Sequence, residues 1–391
     1  MNIIFISAEL PYPPNSGGRI YTWERLKQLK KNGNKIYLFS LYNQNDKVDY
    51  EKIKQVCVSL NLYLRKYKFI NGLKHITKPF SVASRFNINM FNDINKLISS
   101  KNINFIIIDM PEMLMNCPLN NKVPKVLTQH NIEYKLFNSI ADQTRNVLKK
   151  IIYKFEGLKM KYYEERFYKK KLFKGYTFIS KDDMKFFISK YGNENCICIP
   201  PGYNNIKKPY KKKKDNIIVF TGKMDYEPNI QAVKWFANEI FPKIKLKINE
   251  AKFYIVGKNP TKEVQKLSSI EGITVTGAVD DIGYYLKLAN LYVIPLKSGG
   301  GVKIKLFEAI AHRNMIVTTS KGIEGTDFVD KQHLLVANDT ETFTKSCIKL
   351  LMNQKKYQYL VDNSIKLLQD KYSWDSLGER YNNFLLNLLE K

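Results

Sequence analysis

The stretch that decides the fold runs from Leu291 to Ala309 and reads LYVIPLKSGGGVKIKLFEA. Its apolar start, Leu291–Pro295, predicts a short buried strand, and its end predicts a helix over Val302–His312. Gly299–Gly301 lie between them, where glycine permits positive φ and a close approach of the backbone to a ligand. Free N–H groups at a helix start attract anions, so this unit predicts a binding site for a diphosphate.

Two side chains of the predicted helix strengthen this interpretation. Lys305 and Glu308 are three residues apart, which places them on one helical face. The lysine can neutralise a phosphate and the carboxylate can accept two ribose hydroxyls, so the pair suits a sugar nucleotide. Glycine-rich motifs also match by chance, and the local pattern alone fits an ordinary turn followed by a solvated ion pair.

The length and composition indicate an ordinary globular protein of two domains. At 391 residues the chain is longer than one core normally supports, and 44% of its residues are hydrophobic. No run approaches the ~20 apolar residues of a membrane span, and Met1–Ser7 predicts a first strand instead of a leader. The five cysteines and four histidines show no metal-ligand spacing. We therefore expect a reduced, cytoplasmic protein without structural zinc.

The net charge of +28 raises the question of an anionic partner. Lysine is spread along the whole chain, so we expect no nucleic acid. Two basic clusters stand out, Lys211–Lys214 and a segment from Arg145 to Lys174 that is interleaved with aromatic and aliphatic residues. This segment fits a helix lying peripherally on the inner face of an anionic membrane. It also fits a solvated helix with its apolar stripe in the core, because Glu156, Glu164 and Glu165 interrupt the charge.

Strands and helices alternate along nearly the whole chain, which is typical of doubly wound parallel α/β sheets. A connector rich in proline, asparagine and lysine separates a domain over 1–200 from one over 201–373, and a helix over 374–391 follows. The predicted strands are Asn2–Ser7, Lys35–Ser40, Asn104–Asp109, Lys125–Gln129, Tyr176–Ser180, Asn216–Thr221, Lys252–Val256, Ile273–Thr276, Leu291–Pro295, Met315–Thr319 and His333–Val336. The main predicted helices are Arg19–Lys31, Asp93–Ser100, the basic segment, Asn229–Leu246, Asp281–Leu288, Val302–His312, Glu341–Leu351, Lys356–Lys371 and Trp374–Leu389.

The turns that follow these strands carry the residues that can bind a ligand, as expected at the carboxyl ends of parallel strands. Gly17 and Gly18 precede a helix and can bring N–H groups to a phosphate or a sugar. His130 follows the strand that ends at Gln129 and can hydrogen-bond a reacting sugar, although a lone histidine is more often structural. Three further glycines stand directly after strands: Gly222, Gly257 and Gly277. Together with the triple glycine they predict one nucleotide site.

A set of short stretches occurs in a specific order and spacing: Gly17-Gly18, His130-Asn131, Ile179-Ser180-Lys181, Pro200-Pro201-Gly202, Phe220-Thr221-Gly222, Val256-Gly257, Thr276-Gly277-Ala278-Val279-Asp280-Asp281, Lys305-Leu306-Phe307-Glu308-Ala309 and Gly322-Ile323-Glu324-Gly325. Through them nearly the whole chain resembles the GT-B-fold glycosyltransferases of family four. This is a large retaining group that includes sugar transferases of bacterial surface-polysaccharide clusters.

The resemblance implies two Rossmann-like domains facing across a cleft, with the C-terminal helix returning to the first. It implies an enzyme of hexosyltransferase type that retains anomeric configuration. The nucleotide-sugar donor is held mainly by the second domain, and a glycan or lipid-linked acceptor approaches mainly from the first. The implied catalytic residues are His130, Lys305 and Glu308. The implied donor-binding residues are Gly17, Gly18, Gly222, Lys223, Gly257, Val279, Gly299, Gly300, Gly301, Lys305 and Glu308.

Several positions depart from the family pattern. The first carboxylate of the family's paired-glutamate motif, which touches the transferred sugar, is replaced at Gly300, so the sequence does not identify that sugar. Lys223 stands where arginine is common, and the lysine expected a few residues later is replaced near Pro228-Asn229. Arg313 and Met315 stand where glycine and proline are usual.

Breaking a sugar–phosphate bond develops negative charge on the leaving diphosphate, so catalysis needs positioned cations and N–H dipoles. Lys223, Lys305 and the Gly299–Gly301 turn can supply them. The chain has no Asp-x-Asp motif in the expected setting, so we expect neither a metal nor another cofactor. Two other classes stay open: a nucleotide-sugar epimerase, which can share the fold, and a basic nucleic-acid-binding protein.

Overall fold

A computed structural model of the chain describes residues 1–65, 77–143, 147–170, 172–192, 195–208, 215–299 and 301–390. These residues form two compact units, Met1–Pro201 together with Trp374–Lys391, and Gly202–Ser373. Both predicted basic clusters are affected by the gaps, because Lys211–Lys214, Arg145 and Lys171 lie outside the described residues.

The described residues of the first unit form a seven-stranded parallel sheet in the order β3-β2-β1-β4-β5-β6-β7. Its strands are β1 (Asn2–Ser7), β2 (Lys35–Tyr42), β3 (Ser59–Leu64), β4 (Phe105–Asp109), β5 (Lys125–Gln129), β6 (Gly175–Phe178) and β7 (Cys196–Cys198). The strand order reverses direction between β1 and β4, which is the switch point where doubly wound sheets bind ligands.

Helices cover both faces of this sheet. They are α1 (Gly17–Lys31), α2 (Tyr50–Lys54), α3 (Phe80–Ala83), α4 (Ile88–Ser100), α5 (Glu133–Gln143), α6 (Val147–Lys169), α7 (Lys181–Tyr191) and the C-terminal Trp374–Glu390, with a 3₁₀ turn at Pro111–Asn116. Strand β1 shows why two cores form: Ile4 and Ile6 join one hydrophobic cluster, and Ile3 and Phe5 join the other. Alternate side chains of a strand point to opposite faces, so a strand covered on both sides is apolar throughout.

The described residues of the second unit form a six-stranded parallel sheet in the order β10-β9-β8-β11-β12-β13. Its strands are β8 (Ile217–Thr221), β9 (Lys252–Val256), β10 (Ile273–Gly277), β11 (Leu291–Ile294), β12 (Met315–Thr318) and β13 (Leu335–Val336). The switch point of this sheet lies between β8 and β11, beside the triple-glycine turn that follows β11.

The helices of the second unit are α8 (Glu227–Trp235), α9 (Phe241–Lys245), α10 (Lys262–Gln265), α11 (Ile282–Leu288), α12 (Ile304–Ala311), α13 (Thr340–Met352) and α14 (Gln358–Tyr372); the C-terminal helix of the first unit is α15. One turn of π-helix, Phe236–Ile240, joins α8 to α9, and 3₁₀ turns occur at Lys266–Ser269 and Ser320–Ile323. The backbone N–H of Tyr203 donates to the carbonyl of Tyr372 at 2.8 Å, so the two ends of this unit lie side by side.

The α/β fold class with two parallel sheets is confirmed, and the predicted strands are all present with small shifts at their ends. The sequence interpretation omitted strands β3 and β7 and helices α2, α3, α5, α7 and α10. Strand β7 is only three residues long, and β3 is a half-buried edge strand, so both carry a weak pattern. Helix α7 does have a signal, since Ser180 caps its first turn and Gly192 ends it at φ 61°.

No helix in the described ranges is long and apolar enough to cross a membrane.

Candidate functional site

The predicted strand–glycine–helix unit is present, with α12 starting two residues later than expected because Lys303 is its N-cap. Gly299 has a φ of 101° and Gly301 a φ of 70°, both in the left-handed region that favours glycine. A Cβ atom on Gly299 would lie 3.4 Å from the Pro228 ring, so this loop contacts the start of α8. Gly300 lies outside the described residues.

Lys305 lies on the first turn of α12 and is held from two sides. Its Nζ donates a hydrogen bond to Asn229 Oδ1 at 2.9 Å and lies 4.2 Å from the centre of the Phe220 ring. The amide of Asn229 in turn donates to the backbone carbonyl of Lys223 at 2.9 Å. Asn229 therefore connects the cation of α12 to the loop that follows β8.

Two of the predicted glycines, Gly222 and Gly257, have no room for a side chain. A Cβ atom on Gly222 would lie 2.7 Å from Asn229 Nδ2 and 2.9 Å from Lys305 Nζ. A Cβ atom on Gly257 would lie 1.7 Å from the carbonyl oxygen of Gly222. Real Cβ atoms do not approach neighbouring atoms so closely, so the loops after β8 and β9 can meet only through glycine.

Glu308 follows Lys305 by one turn, and both side chains are half-buried. Burial lowers the pKa of Lys305 to about 7, although the nearby Glu308 acts in the opposite direction. Burial likewise raises the pKa of Glu308, and Lys305 opposes that shift. An anion beside Lys305 would stabilise its charged form, so the site favours binding of a negatively charged group.

The other two predicted residues of this unit contribute less to the cluster. The ammonium of Lys223 is exposed and lies 3.2 Å from Asp225 Oδ2, so only the backbone of Lys223 contacts Asn229. Val279 follows β10 and is partly buried against the core of the unit.

The sequence interpretation missed two residues, Asn229 and Lys303. The Nζ of the buried Lys303 donates to the carbonyl of Gly299 at 3.3 Å and also to that of Gly301, so it holds the glycine loop in place. Burial lowers the pKa of Lys303 to about 8. The alternating lysines of Lys303-Ile304-Lys305 are a sequence signal for Lys303. Nothing in the sequence, in contrast, shows that Asn229 meets Lys305.

His130 lies in the first unit, directly after β5, and it is buried. Its Nε2 lies 2.9 Å from Asp109 Oδ1, at the end of β4. Asp109 also accepts a hydrogen bond from Thr22 Oγ1 at 2.8 Å and has Arg25 at 3.9 Å. Burial alone would raise the pKa of Asp109, but His130 and Arg25 outweigh it and hold that pKa below its usual range.

The helix that supplies two partners of Asp109 begins at the predicted glycines of the first unit. Gly17 and Gly18 form the first residues of α1, where Ser16 caps the helix by accepting from Arg19 N–H. The following turns of α1 supply Thr22 and Arg25, so this helix runs from the glycines to the partners of Asp109.

A buried carboxylate supports the loop that carries His130. Glu164 of α6 accepts hydrogen bonds from the N–H groups of Glu133 and Tyr134, at the start of α5, and from the hydroxyl of Tyr168. Burial raises its pKa to about 7, while these hydrogen bonds act in the opposite direction. The described ranges contain no group of three or more His, Cys, Asp and Glu residues that could hold a metal ion.

Comparisons with known proteins find similar sequences and similar folds. Lys305, Asn229, Gly222 and Gly257 form what we call the Lys305 cluster. The whole cluster lies within residues 215–353, which match the family described as Glycosyl transferases group 1. A protein of Klebsiella pneumoniae, described as an uncharacterized 44.6 kDa protein in the cps region, is 26% identical over 95% of this chain and 96% of its own length.

Two solved structures show the same fold. A variant of S. aureus TarM in complex with fondaparinux, α-GlcNAc-glycerol and UDP has a TM-score of 0.67 and 12% identity, with 98% of this chain and 100% of that one covered. WaaG, a glycosyltransferase involved in lipopolysaccharide biosynthesis, has a TM-score of 0.65 and 14% identity, with 98% and 99% covered. The GT-B fold is thus confirmed, and with the family match so is the class of enzyme, a glycosyltransferase.

Proposed function

We propose that this protein transfers a sugar from a nucleotide-sugar donor to a glycan or lipid-linked acceptor, with retention of anomeric configuration. The observation that carries the proposal is the convergence of Lys305, Asn229 and Gly222 at the start of α12. Here a cation, backbone N–H groups and closely approaching glycine loops surround one position, which suits a diphosphate.

The donor's diphosphate is placed against Lys305 and the first turn of α12. Glu308, one turn further along, accepts the ribose hydroxyls. Negative charge that develops on the leaving diphosphate is stabilised by the ammonium and by the helix N-terminus, whose positions are already set before the reaction. Binding of the diphosphate also returns Lys305 to its charged form, because a neighbouring anion raises the pKa that burial has lowered.

Metal independence is part of the proposal. Lys305, with Lys303 bonded to the glycine loop and Lys223 in the loop after β8, supplies the positive charge that a divalent ion would otherwise supply. No other cofactor is proposed, since the nucleotide sugar is itself a substrate.

His130 is proposed to contact the reacting sugar on the acceptor side. Asp109 fixes the ring through a 2.9 Å hydrogen bond, and Thr22 fixes Asp109, so the second ring nitrogen has a defined direction. Gly17 and Gly18 are proposed to add backbone N–H groups to the donor's phosphates; they remain predictions from the sequence.

The acceptor is proposed to belong to cell-surface polysaccharide or glycoconjugate synthesis, and the protein to work in the cytoplasm at the inner face of a membrane. Support comes from the cps region that encodes the Klebsiella relative, the α-GlcNAc-glycerol bound to TarM, and the lipopolysaccharide role of WaaG. The basic segment from Arg145 to Lys174 is the proposed contact with anionic lipid.

The direct test is a thermal-shift panel of nucleoside diphosphates and nucleotide sugars, with and without EDTA. A ligand at 100 times its Kd stabilises the folded chain by about 2.7 kcal/mol, which is readily measured. We expect at least one nucleoside diphosphate to raise the melting temperature, equally with EDTA. Dependence on added magnesium or manganese would refute metal independence. Sugar isomerisation without any acceptor would favour an epimerase, and salt-sensitive retention on nucleic acid without nucleotide binding would refute the proposal.

A further inference from the structure

Helix α6 presents apolar side chains to solvent on the face opposite to the one that packs on the first unit. Its buried residues are Gly157, Met160, Tyr163, Glu164 and Tyr168. A second set is between 58% and 74% exposed: Leu148, Ile151, Ile152, Phe155, Leu158 and Tyr162. At about 100° per residue, these six fall within an arc of about 120°. We call them the α6 stripe.

The α6 stripe is a contiguous row of exposed apolar side chains. Single exposed apolar residues are normal on a protein surface, but a contiguous row of this size marks an interaction site. The helix is fixed beneath it, because Gly157 packs closely on α5: a Cβ atom there would lie 2.9 Å from Asn138 Oδ1 and 3.2 Å from Phe137 Cβ. The stripe therefore faces outward from a rigid support.

The charges around the stripe identify the kind of partner. Lys150, Lys154 and Lys161 recur at helical spacing along one of its edges, and Lys154 and Lys161 are exposed. Apolar side chains bordered by lysines complement an anionic membrane, because the apolar groups can insert among the acyl chains while the lysines bind the headgroups. A second copy of the chain would bring its own lysine row against this one, which like-charge repulsion opposes.

The acidic residues of α6 do not weaken this assignment, because the protein itself engages all three of them. Glu156 accepts from Lys159 Nζ and from the Phe80 N–H at 2.6 Å. Glu165 pairs with Lys190 at 2.6 Å. The third, Glu164, is fully buried. The face that carries the stripe is thus left with lysines as its charged neighbours.

We infer that the α6 stripe inserts into the surface of an anionic membrane and holds the first unit there. From its charge and apolar residues, the whole segment from Arg145 to Lys174 was expected to lie on lipid. The inference narrows the contact to the N-terminal two-thirds of α6, with insertion of apolar side chains as its main component. This inference rests on the proposed function only in that a lipid-linked acceptor would give the attachment a purpose.

The test is co-sedimentation of the full chain with vesicles of phosphatidylcholine, alone or with phosphatidylglycerol, at 0.15 M and 0.5 M salt. The double variant Ile151→Ser/Leu158→Ser should lose at least about tenfold in affinity at both salt concentrations, because it removes buried apolar area. A triple Lys150→Gln/Lys154→Gln/Lys161→Gln variant should lose binding mainly at the lower salt concentration. Leu246→Ser, at a leucine that is 85% exposed in the second unit, is the matched control and should bind as the parent chain does.

The inference is overturned if the double variant binds vesicles like the parent chain, if no vesicle retains the parent chain, or if the control loses as much as the double variant. It is also overturned if sedimentation velocity shows a dimer that the double variant dissociates, since a second copy would then cover the stripe. Melting temperature and the shift caused by a nucleoside diphosphate should be unchanged in every variant. Vesicle binding without any nucleotide binding would refute the proposed function and leave this inference intact.

Discussion

The two candidate sites, one in each unit, satisfy their polar groups in opposite ways. In the first unit His130, Asp109 and Thr22 are buried and hydrogen-bonded to one another, and the pKa of Asp109 is held low. In the second unit Lys305 and Glu308 are half-buried, and burial shifts both toward their neutral forms. The polar groups of the first site already satisfy one another, whereas those of the second would be satisfied by a bound anion.

The largest effect on transfer is expected at the first site. His130→Ala should reduce turnover about a hundredfold, within the range typical of a positioned side chain that acts on the reacting group. Binding of a nucleoside diphosphate alone should change little, because the Lys305 cluster is untouched. Turnover and titration calorimetry measure the two separately. Equal losses in both would indicate a folding defect and would remove the distinction between the sites.

The next effect is expected at Glu308. Glu308→Gln should weaken nucleoside-diphosphate binding and lower transfer at least about tenfold, a loss of roughly 1.4 kcal/mol or more. The amide keeps the shape but loses the negative charge that stabilises the charged form of Lys305 and that is proposed to accept the ribose hydroxyls. Glu263→Gln, on the surface of the same unit, is the control. Unchanged turnover in Glu308→Gln would contradict its assignment to the donor.

A smaller effect is expected where Asn229 holds Lys305. Asn229→Ala removes the 2.9 Å hydrogen bond to the ammonium and the one to the Lys223 carbonyl, while the cation itself remains. Nucleoside-diphosphate binding should weaken several-fold, less than in Lys305→Ala. Asn363→Ala, which removes an exposed hydrogen bond to the Gln332 carbonyl in the same unit, serves as the control. A loss as large as that of Lys305→Ala would mean that Asn229 binds the donor directly.

The smallest effect on transfer is expected from Glu164→Gln. This variant should instead change how the free energy of unfolding depends on pH in the unit that carries His130. The pKa of Glu164 is about 7 in the folded chain, above its ordinary value of 4.5, so its contribution is fully present below pH 4.5 and is lost as the pH rises through 7. Each pKa unit corresponds to about 1.4 kcal/mol. Urea denaturation from pH 5 to 8 should therefore show a flatter profile in the variant.

Glu165→Gln on the same helix is the matched control, because the partner Lys190 holds the pKa of Glu165 below its usual range. Its contribution to stability is instead lost as the pH falls, so this variant should leave the decline from pH 5 to 8 in place. An unchanged slope in Glu164→Gln would mean that Glu133, whose pKa burial also raises, dominates the titration of the first unit.

Much of the fold follows from local pattern. The apolar run of β1 and the LYVI run of β11 predict buried parallel strands, and the triple glycine predicts the turn before α12. The pairing of Lys305 with Glu308 on one helical face is likewise readable from their spacing. These features depend on neighbours in sequence, so a sequence alone contains them.

The rest depends on contacts between distant residues. Asn229 meets Lys305 across 76 positions, and Asp109 meets His130 across 21, because the sheet order brings separate loops to one edge. The α6 stripe is a related case: the sequence shows an apolar helix, but only packing decides which of its faces is core. The face of Met160 and Tyr163 is buried and the face of Phe155 and Leu158 is not.

The hydrogen bond between Tyr203 and Tyr372 has a consequence for how this chain could be rearranged. The second unit is an insertion between Pro201 and Trp374 in the sequence, and this 2.8 Å bond joins its two ends one residue inside each boundary. Segments with adjacent ends are the ones most readily exchanged between proteins. A swap at Gly202 and Ser373 would transfer the complete Lys305 cluster as one segment, so the proposed donor site could be exchanged without changing the sequence of the unit that carries His130.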